Sequence, residues 1–154
     1  MKTISEGDQA PDFELPDENG TPVRLSEKLA DGPVVLFFYP GAMTGGCTTE
    51  ACHFRDLATA FKEAGAQRLG ISVDPVSKQR QFSDLHGFGY PLLSDESGDV
   101  AKSFGVRRKY ITPVKRATFV IDTDQTIRSV ITSERKMEVH ADEALAAVAA
   151  LAHR

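Results

Sequence analysis

The chain has 154 residues, of which 41% are hydrophobic and 26% charged, and its formal net charge is −4 at pH 7. This length fits one domain, residues 1–154, whose core needs no metal or disulfide for stability. The composition excludes fibrous and disordered classes. The acidic balance, without strong basic clusters, argues against nucleic acid or an anionic membrane as a partner.

The role expected for the two cysteines, Cys47 and Cys52, depends on the cellular compartment of the protein. The first eight residues contain no apolar stretch of the kind found in a signal peptide. The longest apolar run, Pro33 to Pro40, has the length of one buried strand, whereas a membrane span needs roughly 18 residues. We therefore expect a cytoplasmic protein, in which a cysteine pair is catalytic or metal-binding more often than structural.

The first half of the chain predicts a hairpin, a strand and a helix. Turn residues 17–20, Asp-Glu-Asn-Gly, lie between two short apolar runs and predict a hairpin within residues 12–25. The continuous β-branched and aromatic run Val34–Tyr39 predicts a central strand that stops at Pro40. A helix that ends before Gly65 is predicted from apolar residues at helical spacing, namely Ala51, Phe54, Leu57, Ala58, Phe61 and Ala64.

The second half alternates strands and helices before it ends in a hairpin and a helix. The predicted elements are a strand Arg68–Val73, a helix Ser77–Leu85 capped by Ser77, a strand Tyr90–Leu93, a helix Asp99–Phe104, a hairpin of Ala117–Ile121 with Thr126–Ile131, and an amphipathic helix Ala141–Leu151. This order favours an α/β fold with a central mixed β-sheet flanked by helices, in a thioredoxin-like arrangement with an N-terminal β-hairpin.

The glycine-rich loop after the central strand carries the candidate chemistry. Cys47 follows Gly45-Gly46 at the start of the predicted helix, where free backbone N–H groups and the positive end of the helix dipole favour a thiolate. Thiolate formation alone would not make a fast nucleophilic catalyst, because charge that moves onto a leaving group also needs hydrogen-bond donors. Thr44, one helical turn before Cys47, can supply one donor, and a distant arginine a second.

Several motifs in this order resemble a known family. Pro40, Thr44 and Cys47 form the pattern Pro-x-x-x-Thr-x-x-Cys, which resembles the active-site pattern of peroxiredoxins. The stretch from Cys47 to Cys52, Cys-Thr-Thr-Glu-Ala-Cys, resembles the PrxQ branch, also called bacterioferritin comigratory proteins. The similarity covers nearly the whole chain, since further matching motifs lie at Gly7–Phe13, Tyr90–Asp95 and Arg116–Asp122.

The resemblance implies a thioredoxin-like fold of the peroxiredoxin type and a thiol peroxidase that needs no metal or organic cofactor. Cys47 would reduce hydrogen peroxide or an organic hydroperoxide and become a sulfenic acid. Cys52 would then resolve it to an intramolecular disulfide, which thioredoxin or a glutaredoxin-like protein would reduce. Resemblance to this branch also implies a monomer, although dimers occur in the wider family.

The resemblance also assigns roles to four side chains around Cys47. Pro40 would shield the sulfur, Thr44 would hydrogen-bond both sulfur and peroxide, Arg116 would be the active-site guanidinium, and Glu50 would orient that arginine. One departure stands out, because relatives usually have Thr-Pro-Gly-Cys where this chain has Thr-Gly-Gly-Cys. Glycine in place of proline should loosen the loop.

The spacing of the two cysteines predicts a motion. In an unbroken helix Cys47 and Cys52 would be separated by about 7.5 Å of rise and roughly 140° of rotation. A disulfide needs Cα atoms within about 7 Å and converging Cβ atoms. We therefore expect the first turns of the helix to unwind after Cys47 is oxidised, helped by Gly45 and Gly46.

Other interpretations of these residues stay open. Cys47 could be an inert buried thiol and Cys52 a core residue. Cys47, Cys52 and His53 could bind zinc, although one helical segment cannot easily direct all three at one metal. A Cys/His hydrolase would need His53, His86 or His140 beside Cys47, and these histidines look surface-exposed.

Further alternatives concern single roles and the overall function. Thr44 could act only as a helix N-cap, and Glu50 could be a solvated surface carboxylate. The Cys-x-x-x-x-Cys spacing departs from the Cys-x-x-Cys of disulfide oxidoreductases. A redox sensor that uses the same disulfide, or a thioredoxin-fold module without activity, would fit the same fold.

Overall fold

The computed structural model describes residues 2–110 and 112–152. Within these residues the strands are β1 (Glu14–Pro16), β2 (Pro22–Arg24), β3 (Val34–Phe38), β4 (Gln67–Ser72), β5 (Leu92–Ser94), β6 (Ala117–Ile121) and β7 (Ile127–Thr132). The α-helices of the described part are α1 (Leu25–Lys28), α2 (Gly45–Asp56), α3 (Ala58–Glu63), α4 (Val76–His86), α5 (Asp99–Ser103) and α6 (Met137–Ala152).

A five-stranded mixed sheet forms the centre of the fold. Its strand order is β5-β4-β3-β6-β7, with β3, β4 and β5 parallel and with β6 antiparallel to both β3 and β7. β1 and β2 form the predicted antiparallel hairpin, whose turn is held by Asp17 Oδ1 accepting the backbone N–H groups of Asn19 and Thr21. The predicted α/β fold with a central mixed sheet and an N-terminal hairpin is confirmed.

Alternating residues of the buried strand β3 divide the core into two layers. Val34, Leu36 and Phe38 face a layer that includes residues of α5 and of the N-terminal hairpin. Val35 and Phe37 face the other layer, which is covered by α2, α3, α4 and α6. This alternation is the period of two expected for a strand buried on both faces.

The structure corrects several predicted helix boundaries. The single helix predicted up to residue 64 is two helices, because the chain leaves helical geometry at Leu57 (φ −95°, ψ 19°). Ser77 does not cap α4: the helix begins after Pro75, whose carbonyl oxygen accepts the N–H of Lys78 and of Gln79. A proline with fixed φ suits the position before the first helical residue.

The ends of the chain differ from prediction too. α6 begins at Met137, four residues before the predicted start. The prediction missed its first turn because that turn lacks the alanines that marked the rest of the helix in the sequence. The one-turn helix α1, after β2, was not predicted. None of the described helices is long and apolar enough to cross a membrane.

Candidate active site

The loop after β3 is tied to the neighbouring parallel strand. Asp74, just beyond β4, accepts the backbone N–H of Ala42 at 2.7 Å and the Ser72 hydroxyl at 2.8 Å on one carboxylate oxygen. Met43 takes a left-handed conformation (φ 67°) uncommon for a residue with a Cβ atom. The loop thus has one defined path into α2, where Cys47 is the third residue and only 1% exposed.

Arg116 connects the sulfur of Cys47 to the carboxylate of Glu50. It directly precedes β6, whose first residue Ala117 is paired with the last residue of β3, so the sheet register brings it beside the loop. Its Nη2 donates to Cys47 Sγ at 3.4 Å and its Nη1 to Glu50 Oε1 at 2.6 Å. All three side chains are buried.

The charges of Arg116 and Glu50 influence each other in a buried setting. Burial alone would lower the pKa of the Arg116 guanidinium, but Glu50 and Cys47 raise it above its ordinary value. At Glu50 two influences oppose each other: burial favours the protonated acid and Arg116 favours the carboxylate. Burial is the stronger and raises the Glu50 pKa to about 8. The possibility that Glu50 is a solvated surface carboxylate is therefore excluded.

Gly46 allows the first turn of α2 to approach the arginine closely. A Cβ atom at this position would lie 3.3 Å from Arg116 Nη2 and 3.4 Å from Met137 Sδ. At Gly45, by contrast, an added Cβ would have nothing within 4 Å. The two neighbouring glycines therefore differ: one makes room for the site and the other only adds backbone freedom.

His140 is part of the site, and sequence reasoning missed it. It is fully buried in α6, with Nδ1 2.8 Å from Thr118 Oγ1 and 3.5 Å from Glu50 Oε2. Its Nε2 lies 2.8 Å from the carbonyl oxygen of Ser133. The expectation that this histidine is surface-exposed was wrong, and only its place on the apolar face of a helix could have signalled burial.

Thr44 and Pro40 lie at the entrance to the site. Thr44 is exposed and occupies the N-cap position of α2, but its hydroxyl makes no capping bond; it donates to the carbonyl oxygen of Gly41 at 2.8 Å. Within the described residues, the hydrogen bond predicted between Thr44 and the Cys47 sulfur is therefore absent, because the side chain turns back towards the loop. Pro40 is half-buried directly after β3.

Cys52 has a different setting from Cys47 on the same helix. It is half-buried, and its Sγ lies 3.9 Å from Nδ1 of His86 at the end of α4. The His86 ring is stacked on Phe88 and meets the edge of Phe82. Both cysteines are free thiols in this structure, and they lie in the same α-helix.

The structure separates the residues of the zinc alternative. His53 Nε2 pairs with Asp142 Oδ1 at 2.7 Å, on the half-exposed outer side of the contact between α2 and α6. Over residues 2–110 and 112–152, no three His, Cys, Asp or Glu side chains are grouped so that they could hold a metal ion. Nor does His53 or His86 contact Cys47 in the way that a Cys/His hydrolase needs, since their polar contacts are to Asp142 and Cys52.

Known proteins match both the sequence and the fold. The profile of the AhpC/TSA family matches residues 6–130. A putative peroxiredoxin of Mycobacterium tuberculosis is 60% identical, over 98% of this chain and 98% of its own length. The crystal structure of peroxidoxin BcpB from Mycobacterium tuberculosis is similar with a TM-score of 0.93 and 60% identity, covering 96% of this chain and 98% of that chain.

A more distant solved structure also matches the chain. It is the bacterioferritin comigratory protein of Xanthomonas campestris, whose structures with a trapped intermediate and ligand were described in terms of alkyl peroxide reduction. It is 33% identical, with a TM-score of 0.83, and the match covers 91% of this chain and 92% of that chain.

Proposed function

Since the chain belongs to the AhpC/TSA family and is a peroxiredoxin, hence a thiol peroxidase, we propose that Cys47 is its peroxidatic cysteine and Cys52 its resolving cysteine. The observation that carries this proposal is the contact between Arg116 and the Cys47 sulfur at the buried start of α2. A permanently charged guanidinium beside a sulfur favours the thiolate, which is the nucleophilic form.

Arg116 also supports the next step, in which the peroxide is bound. Its Nε is buried and has no hydrogen-bond partner within the described part of the chain, although Nη1 and Nη2 are both engaged. A buried donor without a partner is costly unless a ligand uses it. We therefore assign Arg116 Nε as a donor to a peroxide oxygen, and Thr44 as a second donor once its hydroxyl turns from Gly41 to the substrate.

In the first chemical step the Cys47 thiolate attacks the terminal oxygen of the hydroperoxide. The S–O bond forms as the O–O bond breaks, and the leaving oxygen takes a proton to become water or an alcohol. Negative charge moves from sulfur to the leaving oxygen, and the buried Arg116 guanidinium stabilises it. Pro40, at the entrance, would limit access of solvent to the sulfur.

In the second step the sulfenic acid on Cys47 condenses with the Cys52 thiol and releases water. Because both residues lie in the helix α2 (Gly45–Asp56), the first turns have to unwind before the sulfurs can meet. Two consecutive glycines at the start of the helix lower the cost of unwinding, since each destabilises a helix by up to about 1 kcal/mol relative to alanine.

The proposed substrates are supported by one relative and by the mouth of the site. We propose hydrogen peroxide and organic hydroperoxides as substrates, because the Xanthomonas campestris relative was described by alkyl peroxide reduction and Met43 exposes apolar surface beside the loop. Thioredoxin or a glutaredoxin-like protein would reduce the disulfide. We further propose that the protein acts as a monomer in the cytoplasm, in antioxidant defence.

The test is intact mass and thiol titration after one equivalent of hydrogen peroxide, in wild type and Cys52→Ser. Wild type should lose both thiols and gain an intramolecular disulfide, and Cys52→Ser should carry a sulfenic or higher acid on Cys47. Cys47→Ser is the control and should keep its thiol. Wild type that retains both thiols would contradict the proposal, and one slow oxidation without turnover by a reductant would favour a redox sensor.

A further inference from the structure

We infer that Glu50 and His140 share one proton behind Arg116, and that this proton is held while Cys47 is a thiolate and released when the sulfur loses its charge. His140 is then a positioning residue: it acts on Cys47 through Glu50 and Arg116 and does not touch the sulfur. The inference deepens the proposed function and rests on the assignment of Cys47 as the reacting cysteine.

The hydrogen-bond partners of His140 fix one of its ring protons. Nε2 faces the carbonyl oxygen of Ser133 at 2.8 Å, and a carbonyl oxygen can only accept. Nε2 therefore carries a hydrogen. The state of Nδ1, which faces Thr118 Oγ1 at 2.8 Å and Glu50 Oε2 at 3.5 Å, is then the open question.

The hydrogen bonds of Glu50 are incomplete unless a proton lies between its carboxylate and His140. Its Oε1 accepts from Arg116, but Oε2 is buried and has no donor within the described residues. If Glu50 were ionised and His140 neutral, Oε2 would face the lone pair of Nδ1, an arrangement that leaves a buried acceptor unsatisfied. One proton on either atom removes the conflict, and the 3.5 Å separation is short enough for a small side-chain shift to close it.

Thr118 fits both states of this pair. Its hydroxyl can donate to Nδ1 when the shared proton is absent, and it can turn and accept when Nδ1 is protonated. Burial raises the pKa of Glu50 to about 8 and lowers that of His140 below its ordinary value, so both shifts favour a pair that is neutral in total. Thr118 is therefore hydrogen-bonded in both states, and the change between them needs no movement of the backbone.

Three further charged residues, on α6 itself and on the elements packed around His140, affect the protonation of its ring. Arg116 opposes protonation of the imidazole, whereas Glu134, after β7, and Glu143, in α6, favour it. Glu134 is itself held by Arg108 and by the backbone N–H of Arg116. Cys47, which contacts Arg116 directly, is the neighbour of these residues whose charge changes during the proposed reaction.

The charge balance couples the shared proton to the chemistry. Before the reaction the thiolate balances Arg116, and the pair is neutral with its proton. When the S–O bond forms and the O–O bond breaks, sulfur becomes neutral, and the leaving RO⁻ takes one proton to give ROH. Arg116 then lacks a counter-charge, so the pair releases its proton and Glu50 becomes the counter-ion. The proton gained by RO⁻ is thereby balanced by one lost from the pair, without net uptake from solvent.

The test is a pH titration of the reduced protein by NMR, following the Glu50 carboxyl carbon and the two ring nitrogens of His140. In wild type both signals should change together, with a common midpoint, because one proton serves both groups. In Cys47→Ser, which removes the negative sulfur, the common midpoint should fall by about one pH unit, a roughly tenfold loss of proton affinity. In His140→Gln the amide can donate to Oε2, so Glu50 should titrate at a lower pH than in wild type.

His53→Gln is the matched control, because it also removes a histidine that pairs with a carboxylate across α2 and α6, but on the outer side. It should leave the Glu50 signal unchanged. Independent titration of Glu50 and His140, or an unchanged midpoint in Cys47→Ser, would overturn the inference even if His140→Gln fails to fold. No peroxide is used, so the result stands apart from the test of peroxidase activity.

Discussion

The two cysteines occupy the same helix, five positions apart, in settings that share almost nothing. Cys47 is 1% exposed and is hydrogen-bonded to a guanidinium that belongs to a buried, charged network. Cys52 is half-buried and faces the imidazole of His86 at the end of α4, which contacts the rings of Phe82 and Phe88. The first setting stabilises charge and suits attack on a small molecule, whereas the second leaves the sulfur accessible for exchange.

The two settings also explain why one conformation could not serve both steps of the proposed cycle. Cys47 faces Arg116 at the start of β6, and Cys52 faces the end of α4. Each contact is made by the folded helix, so closing a disulfide has to break at least the first of them. The settings can therefore be perturbed one at a time, and each of the following changes should affect one cysteine more than the other.

The largest effect is expected from Arg116→Met, which removes the donor beside Cys47. Loss of one such donor typically costs about 10²–10³ in rate, so Cys47 oxidation by hydrogen peroxide should slow by that factor, measured by stopped-flow mixing. The alkylation rate of Cys52 should not change. Arg108→Met is the control, since Arg108 bonds the outer carboxylate Glu134 and not Cys47; an equal loss there would contradict the assigned role of Arg116.

A smaller, pH-dependent effect is expected from Glu50→Gln on stability. The folded-state pKa of Glu50, about 8, lies above its ordinary value of 4.5, so the folded protein binds more protons than the unfolded one between these values. Wild type should thus lose unfolding free energy as pH rises from 4.5 to 8, by a few kcal/mol in all and at most about 1.4 kcal/mol per pH unit. Urea unfolding should show a flatter profile in Glu50→Gln; parallel profiles would contradict the raised pKa.

The paired glycines should separate the two chemical steps. Gly45→Ala adds a methyl group in open space and strengthens the first turn of the helix by up to about 1 kcal/mol, so disulfide formation should slow by up to about fivefold while Cys47 oxidation is unchanged. Gly46→Ala places its Cβ 3.3 Å from Arg116 Nη2 and should instead slow the oxidation. Rapid quench and mass spectrometry resolve both steps. The same response in both variants would show that the loop acts as a unit.

The smallest effect is expected at Cys52. His86→Phe keeps an aromatic ring against Phe88 but removes the nitrogen that faces the sulfur. Because an imidazole can accept the thiol proton, alkylation of Cys52 by iodoacetamide at pH 7 should slow about threefold, the scale of a partly exposed polar contact. The measurement uses Cys47→Ser, in which Cys52 is the remaining thiol, and an unchanged rate would mean that His86 only packs there.

Features that depend on residues close together in the sequence could be predicted, and contacts between distant residues could not. The matching proteins confirm both the resemblance to the PrxQ branch and the thioredoxin-like fold. Both could be predicted because the strands are continuous apolar runs and the loop motif is local. The break at Leu57 was not visible, since apolar spacing continues through it. The contact of Glu50 with His140 joins two helices across 90 positions of sequence, and a pattern of spacing within one element has no information about it.

The distance along the chain between the partners of the site has a consequence for protein synthesis. Cys47 and Arg116 are 69 positions apart, and they meet only through the pairing of β3 with β6. A ribosome that has released α2 has not yet translated β6, so a nascent chain carries Cys47 before the guanidinium that contacts it in the folded protein has been made. If Arg116 has the proposed role, the reactivity of Cys47 towards peroxide arises only after β6 has been made and has paired with β3.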